Sequence, residues 1–184
     1  FEPALDYCVV KIPKWPFDKF FSAKRQLGTK MMATGEVMAI GNSFEAALLK
    51  GVRSLEIKQF TLMREFSKQH SLEGLKRRVV VPDDERLFDL AELIRRDYLM
   101  EKICEITGMD PWFIKKIKKI VEKEEELKEY SIETLTPEKL REYKVMGFAD
   151  EGIAEIIGCM GKDVRKLREK YNIRPVYKMV DTCA

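Results

Sequence analysis

The sequence predicts a mainly α-helical protein that begins with a small part rich in β-strand signals. Strand-type runs are concentrated in residues 1–42, whereas from Ser43 onward apolar residues recur at spacings of three and four. Proline, glycine and capping residues bracket several of these helical runs. With 45% hydrophobic and 35% charged residues, the composition is that of a soluble globular protein and excludes a largely disordered chain.

Two runs in the N-terminal part predict strands. "YCVVKI" (7–12) is rich in β-formers and is expected to end at Pro13, and "GEVMAIG" (35–41) is an apolar run bounded by glycines. So few strands leave an apolar face uncovered. We therefore expect them to belong to a larger sheet, and the absence of an initiator methionine suggests that the chain starts within a longer protein.

The helical part begins at Ser43, a predicted N-cap for "FEAALLKGVRSLEI". Residues 58–83 predict a polar connector that ends at Pro82 and leaves His70 exposed to solvent. "ERLFDLAELIRRDY" predicts the next long helix, and "MEKICEIT" a short helix that stops at Gly108. The first two helices carry these apolar stripes: Phe44, Ala47, Leu48, Val52 and Leu55; Leu87, Leu90, Ala91 and Ile94.

The longest predicted helix starts with Asp110 as its cap and Pro111 at its first position. Its charge run predicts a solvated face rather than a polyanion site, with Glu124 and Lys128 as one ion pair. "TPEKLREYKVMG" predicts a further helix that ends at Gly147. The apolar stripe of the longest helix consists of Phe113, Ile117, Ile120, Val121 and Leu127. The lysines in its charge run are Lys115, Lys116, Lys118 and Lys119.

Residues 147–171 resemble a helix-turn-helix, which makes a DNA-binding protein the alternative interpretation. The segment nevertheless carries as many acidic as basic residues, so it lacks the positive charge that phosphate contacts require. The pattern mostly reflects packing of the two helices, since its four marker positions are expected to face inward. The positions expected to face inward are Ala154, Gly158, Val164 and Leu167. The basic residues expected on the surface of the second helix are Arg165, Lys166, Arg168 and Lys170.

The sequence assigns no catalytic, cofactor-binding or metal-binding residue. No glycine-rich phosphate loop is present, and the Asn42–Ser43 turn offers an anion only what any strand-to-helix turn offers. "PDDE" (82–85) is typical of a helix N-terminus rather than a metal site. A net charge of +3 and the lack of an 18-residue apolar run predict neither a nucleic acid nor a membrane as partner. Four scattered cysteines, Cys8, Cys104, Cys159 and Cys183, predict free thiols in a reducing cytosol.

Five stretches resemble, in order, the middle of the carbamoyl phosphate synthetase large subunit. They are "FEPALDYCVVKIPKWPFDKF", "LGTKMMATGEVMAIGNSFEAALLKGVRSLE", "ITGMDPWFIKKIKKIVEKE", "KVMGFADEGIAEIIG" and "RPVYKMVDTCA". The family usually has arginine where this chain has Lys14, and arginine-threonine where it has Asn42–Ser43, which puts in doubt any role for an arginine at those turns. Cys8 replaces a usual aliphatic residue. A piece of another ATP-grasp ligase with the same layout stays as a further alternative.

The resemblance implies that residues 1–42 are the last strands of the first ATP-grasp half, which forms carboxyphosphate. Residues 43–184 would be the helical oligomerisation domain leading to the second half. The parent would be a cytoplasmic ligase of arginine and pyrimidine synthesis, using bicarbonate, ammonia, two ATP, magnesium or manganese, and potassium. Its partners would be a glutaminase small subunit and other large subunits.

Within this segment the resemblance implies assembly rather than catalysis. Trp112 and Phe113 are the candidate interface residues, because adjacent helix positions are not expected to face the same way. One of the two is therefore expected at a subunit contact, with simple packing as the alternative.

Overall fold

A computed structural model describes residues 7–14, 22, 24–26, 28–29, 35–177 and 179. Both predicted strands are present, β1 Cys8–Lys14 and β2 Gly35–Gly41, and they pair antiparallel with Val10 opposite Ala39. The prediction that the first strand ends at Pro13 is wrong, because β1 continues through it to Lys14. A strand with one hydrogen-bonded neighbour tolerates a proline whose missing N–H would point away from that neighbour.

The first helix, α1 Phe44–Ser54, connects the strands to the helical part. Ser43 caps it as predicted, since its Oγ accepts from the Ala46 amide at 3.2 Å. The turn before it is tight: a Cβ on Gly41 would lie 2.7 Å from the Ala47 nitrogen. The predicted stripe is confirmed, with Ala47 and Val52 completely buried between the sheet and the other helices.

Eight further helices follow within the described residues: α2 Glu65–Lys68, α3 Leu72–Val80, α4 Arg86–Arg95, α5 Met100–Thr107, α6 Pro111–Leu127, α7 Pro137–Met146, α8 Asp150–Ile157 and α9 Gly161–Lys170. The prediction of a mainly α-helical fold is therefore confirmed. The predicted boundaries at Gly108 and Gly147 are also confirmed, because both glycines adopt left-handed backbone conformations directly after a helix.

The prediction of a polar connector over residues 58–83 is wrong. This segment contains α2 and α3, and Leu62, Leu75 and Val79 are completely buried. In the sequence, three basic residues stand between Leu75 and Val79, so the segment is classed as polar and the apolar face of α3 is not recognised. His70 is only half-exposed, because its ring lies edge-on to Phe66 at 4.7 Å between centroids.

In α6 most of the predicted stripe is buried, but Phe113 is 43% exposed and Ile114 occupies the core in its place. The predicted pair of Glu124 with Lys128 is also wrong. Glu124 is completely buried, whereas Lys128 Nζ contacts Glu125 at 2.6 Å. A charged run cannot by itself show which of its carboxylates turns inward.

The corner between α8 and α9 packs as the helix-turn-helix pattern predicts. Ala154 and Val164 are buried, and Gly158 adopts the left-handed conformation at the turn. The prediction that Arg168 is exposed is wrong, because its Nε donates to Asp150 Oδ2 at 3.2 Å on a largely buried side chain. Arg165 is exposed and pairs with Glu169 at 3.1 Å, so it already has an acidic neighbour.

Candidate subunit interface

Three aromatic side chains form a surface cluster, which we call the aromatic cluster: Phe44, Trp112 and Phe113. The Phe44 ring lies edge-on to Trp112 at 5.2 Å and to Phe113 at 5.8 Å, and the latter two are 5.0 Å apart. Trp112 and Phe113 are 48% and 43% exposed. The expectation that they cannot face the same way is wrong, because the two rings contact each other and both contact Phe44.

The starts of two helices hold the aromatic cluster in place. Phe44 is the first residue of α1, and Trp112 and Phe113 lie in the first turn of α6. Asp110 fixes that turn, because its Oδ1 accepts from the Trp112 amide at 2.7 Å. Since α1 and α6 also pack against each other in the core, the three rings sit on a rigid base.

A buried carboxylate belongs to the residue that follows Phe44 on α1. Glu45 is 1% exposed, and its Oε1 contacts Lys116 Nζ at 3.2 Å and Lys119 Nζ at 3.3 Å. Burial alone would raise the pKa of Glu45, but its own backbone N–H and the two lysines outweigh that effect and hold the pKa below its usual range. Lys116 Nζ also lies 5.3 Å from the Trp112 ring centroid, so the charged rim and the rings are linked.

This arrangement suits a protein contact better than a reaction. Exposed aromatic rings with a basic rim, mounted on rigid helices, match the apolar centre and polar rim of protein interfaces. The predicted solvated face of α6 is otherwise confirmed, since Lys118 pairs with Glu122 at 3.7 Å. Sequence reasoning missed Phe44 and Glu45, because both were assigned only to the start of an ordinary amphipathic helix.

The acidic segment before α4 is engaged by arginines rather than arranged as a metal site. Arg25 Nε donates to Asp84 at 2.8 Å, Arg64 contacts Glu85 at 3.0 Å, and Asp83 accepts from the Glu85 amide at 3.0 Å. Across the described part of the chain, no group of three or more histidine, cysteine, aspartate or glutamate side chains could hold a metal ion.

The three cysteines within the described residues form no disulfide with one another. Cys8, Cys104 and Cys159 are free, half-buried thiols, and the prediction for Cys183 lies outside the described residues. In the ranges that the structure covers, no helix combines the length and apolarity needed to cross a membrane.

The fold is a helical module joined to a two-stranded antiparallel sheet, and comparison with known proteins places the chain in a family. Residues 36–172 match the carbamoyl-phosphate synthetase large chain, oligomerisation domain, and the chain belongs to that family. The carbamoyl phosphate synthase large chain of Clostridium botulinum is 58% identical over 183 residues. Those of Clostridium beijerinckii and Clostridium perfringens are 57% and 53% identical over 183 residues.

These comparisons confirm the resemblance found in the sequence and give no support for the DNA-binding alternative. Each alignment covers 100% of this chain but 17% of the relative, so the chain spans about a sixth of the length of the curated relatives it matches. The family match begins at residue 36, inside β2, so the matched region contains most of this strand as well as the helices.

Proposed function

We propose that this chain is the assembly segment of a glutamine-dependent carbamoyl phosphate synthase large subunit. In this proposal residues 1–42 complete the ATP-grasp half that forms carboxyphosphate, and residues 43–184 link it to the half that phosphorylates carbamate. The close packing of β2 on α1, with Gly41 against the Ala47 backbone, supports a fixed rather than flexible junction.

The parent activity follows from the family and is part of the same proposal. The complete enzyme would make carbamoyl phosphate from bicarbonate, ammonia and two ATP in the cytoplasm, with magnesium or manganese and potassium. Ammonia would come from a glutaminase small subunit, and the product would supply arginine and pyrimidine synthesis. The segment itself would carry no step of the reaction.

The observation that carries the assembly role is the aromatic cluster. Two rings remain about half exposed although they stand on rigid helix starts, and apolar area of this kind is stabilised by burial against a partner. We infer that the partner is a second large subunit and that Trp112 and Phe113 both contact it. Aromatic residues of this type dominate the binding energy of many protein interfaces.

The test uses the complete large chain that contains this segment, carrying Trp112→Ser and Phe113→Ser together. Loss of two central aromatic contacts is expected to raise the dissociation constant for self-association by about 30-fold or more, measured by sedimentation velocity. Carbamoyl phosphate synthesis from ammonia, bicarbonate and ATP, measured per subunit, is expected to persist because no reacting group is removed.

Phe66→Ser provides the matched control, since Phe66 is 45% exposed but lies on α2, outside the aromatic cluster. The control should assemble as the unmodified chain does. Unchanged self-association in the double variant, or equal weakening in the control, would count against this interface. If the unmodified complete chain forms no carbamoyl phosphate from ammonia, bicarbonate and ATP, the proposed parent activity is contradicted instead.

A further inference from the structure

A second surface feature is a cavity of about 630 Å³ where α7, α8 and the segment after α9 meet one side of α1. None of the aromatic cluster residues lines it. Its charged lining is unbalanced, with five basic side chains against two carboxylates: Arg53, Arg141, Lys144, Arg168 and Arg174; Asp150 and Glu151. We call it the basic cavity.

Asp150 already pairs with two of these cations, although its single charge offsets only one of them. Its Oδ1 accepts from Lys144 Nζ at 2.7 Å, and its Oδ2 accepts from Arg168 Nε at 3.2 Å. The other three, Arg53, Arg141 and Arg174, form no ion pair with any residue that the structure describes. Positive charge is therefore left over in the basic cavity after its internal pairs are formed.

Arg53 shows this imbalance most clearly. Its side chain is half-buried, and its Nη1 donates to a neutral acceptor, the Gly147 carbonyl, at 3.0 Å. Burial lowers the pKa of the guanidinium, and Glu151 offsets this only in part because it makes no direct contact. A partly desolvated cation without a contacting anion is stabilised when a negatively charged group binds beside it.

Backbone groups add to the attraction for anions. The basic cavity is lined by Ala149, Asp150 and Glu151, where α8 begins. Ala149 occupies the N-cap position and has no side-chain acceptor to satisfy the first amides of the helix. Anions commonly bind such amides, and these line the same cavity as the three arginines, although Asp150 and Glu151 also place two carboxylates in this first turn.

We propose that the basic cavity binds a phosphorylated small molecule. Among the described residues, five cations against two carboxylates leave more positive charge than one carboxylate ligand would neutralise, whereas a phosphate monoester carries close to two charges and presents three acceptor oxygens. The volume lies within the range of small-molecule pockets. This inference is independent of the assembly role, because it uses other residues on another face.

The test is arginine footprinting of the complete large chain with phenylglyoxal, read residue by residue by peptide mass spectrometry. Magnesium-free pyrophosphate serves as the probe, at constant ionic strength. Arg141 and Arg174 are exposed and therefore open to modification. We expect saturating pyrophosphate to slow their modification at least about fivefold, with a saturable concentration dependence, because the bound anion covers both guanidinium groups.

Arg77 and Arg165 are the internal controls, since both are exposed but lie outside the basic cavity. Their modification rates should stay constant. Arg53→Gln, which keeps a donor for the Gly147 carbonyl but removes the charge, should weaken the protection, with circular dichroism confirming an unchanged fold. Equal protection of all four arginines, no protection, or Arg141 and Arg174 unreactive before pyrophosphate is added would each overturn the proposal.

Discussion

The two ends of α6 break the simple helix pattern in opposite ways. At its start, Trp112 and Phe113 place large apolar rings at the surface, and near its end Glu124 places a carboxylate in the core. Burial of a charge costs free energy unless it is paired, and exposure of aromatic rings forgoes the gain from burying them. The first end is thus the one that we propose for contacts outside the chain, whereas the second makes contacts within it.

Glu124 holds a loop that has little secondary structure of its own. Its Oε1 accepts from the Leu62 amide at 2.6 Å, and its Oε2 accepts from Arg95 on α4. Arg95 is held in turn by Glu92 at 3.1 Å and Glu125 at 2.7 Å. One carboxylate therefore connects α6, α4 and the segment before α2.

The largest effect is expected from Glu124→Ala, which removes the internal contact and sharpens the contrast between the two ends. The substitution leaves the Leu62 amide and part of the Arg95 guanidinium buried without their acceptor. We expect the free energy of unfolding to fall by about 3–5 kcal/mol at pH 7.5, measured by urea denaturation.

Glu124→Gln is the matched control. Its amide oxygen still accepts from the Leu62 N–H, but the neutral side chain no longer pairs with Arg95, so a smaller loss of about 1–2 kcal/mol is expected. A loss of less than about 1 kcal/mol for Glu124→Ala would mean that the contacts of Glu124 contribute little to the free energy of unfolding. The two ends of α6 would then not differ in stability in the way we expect.

The next effect compares two neighbours at the start of α6. Ile114→Ala removes a completely buried side chain and should lower the free energy of unfolding by about 3 kcal/mol. Phe113→Ala removes a larger but half-exposed side chain, so a loss of about 1 kcal/mol is expected.

Both variants are compared by urea denaturation at low protein concentration, where assembly does not add to the stability. The opposite ranking, with Phe113→Ala the more costly, would show that the ring supports the monomer core. In that case the start of α6 would not differ from an ordinary buried helix face.

Sequence reasoning located most helix ends because their signals are local. Ser43, Asp110 and Gly108 act through neighbouring backbone groups, and a capping side chain or a left-handed glycine has the same meaning in most folds. The same reasoning missed α2 and α3, where few apolar residues stand among charges and tertiary burial decides the structure.

The candidate interface was only half predictable for a related reason. Trp112 and Phe113 stand out as two adjacent aromatic residues in one helix turn. Phe44, which brings them together, is distant in the chain, and no local pattern indicates that contact. The inward turn of Glu124 is equally non-local, because it depends on Leu62 and Arg95.

The pH dependence of stability gives a further comparison, now between two carboxylates of α6. Burial raises the pKa of Glu124 to about 7, although Arg95 and the Leu62 amide pull it downward. Hydrogen bonds from Lys123 and Lys139 lower the pKa of Glu126 to about 2. The inward and outward carboxylates therefore titrate on opposite sides of their ordinary value.

The smallest expected effect follows from that difference. Above the ordinary glutamate pKa of 4.5 and up to about 7, the folded chain binds more protons at Glu124 than the unfolded chain does. This contribution to stability is complete below pH 4.5 and is lost as the pH rises through about 7, so the free energy of unfolding should fall by roughly 1 kcal/mol between pH 6 and 7. Urea denaturation across pH 5–8 measures it: Glu124→Gln should flatten the slope between pH 6 and 7, whereas Glu126→Gln should keep it, because Glu126 is ionised in both states over that interval. Equal slopes in the unmodified chain and Glu124→Gln would show that Glu124 is ionised in the folded protein across this range.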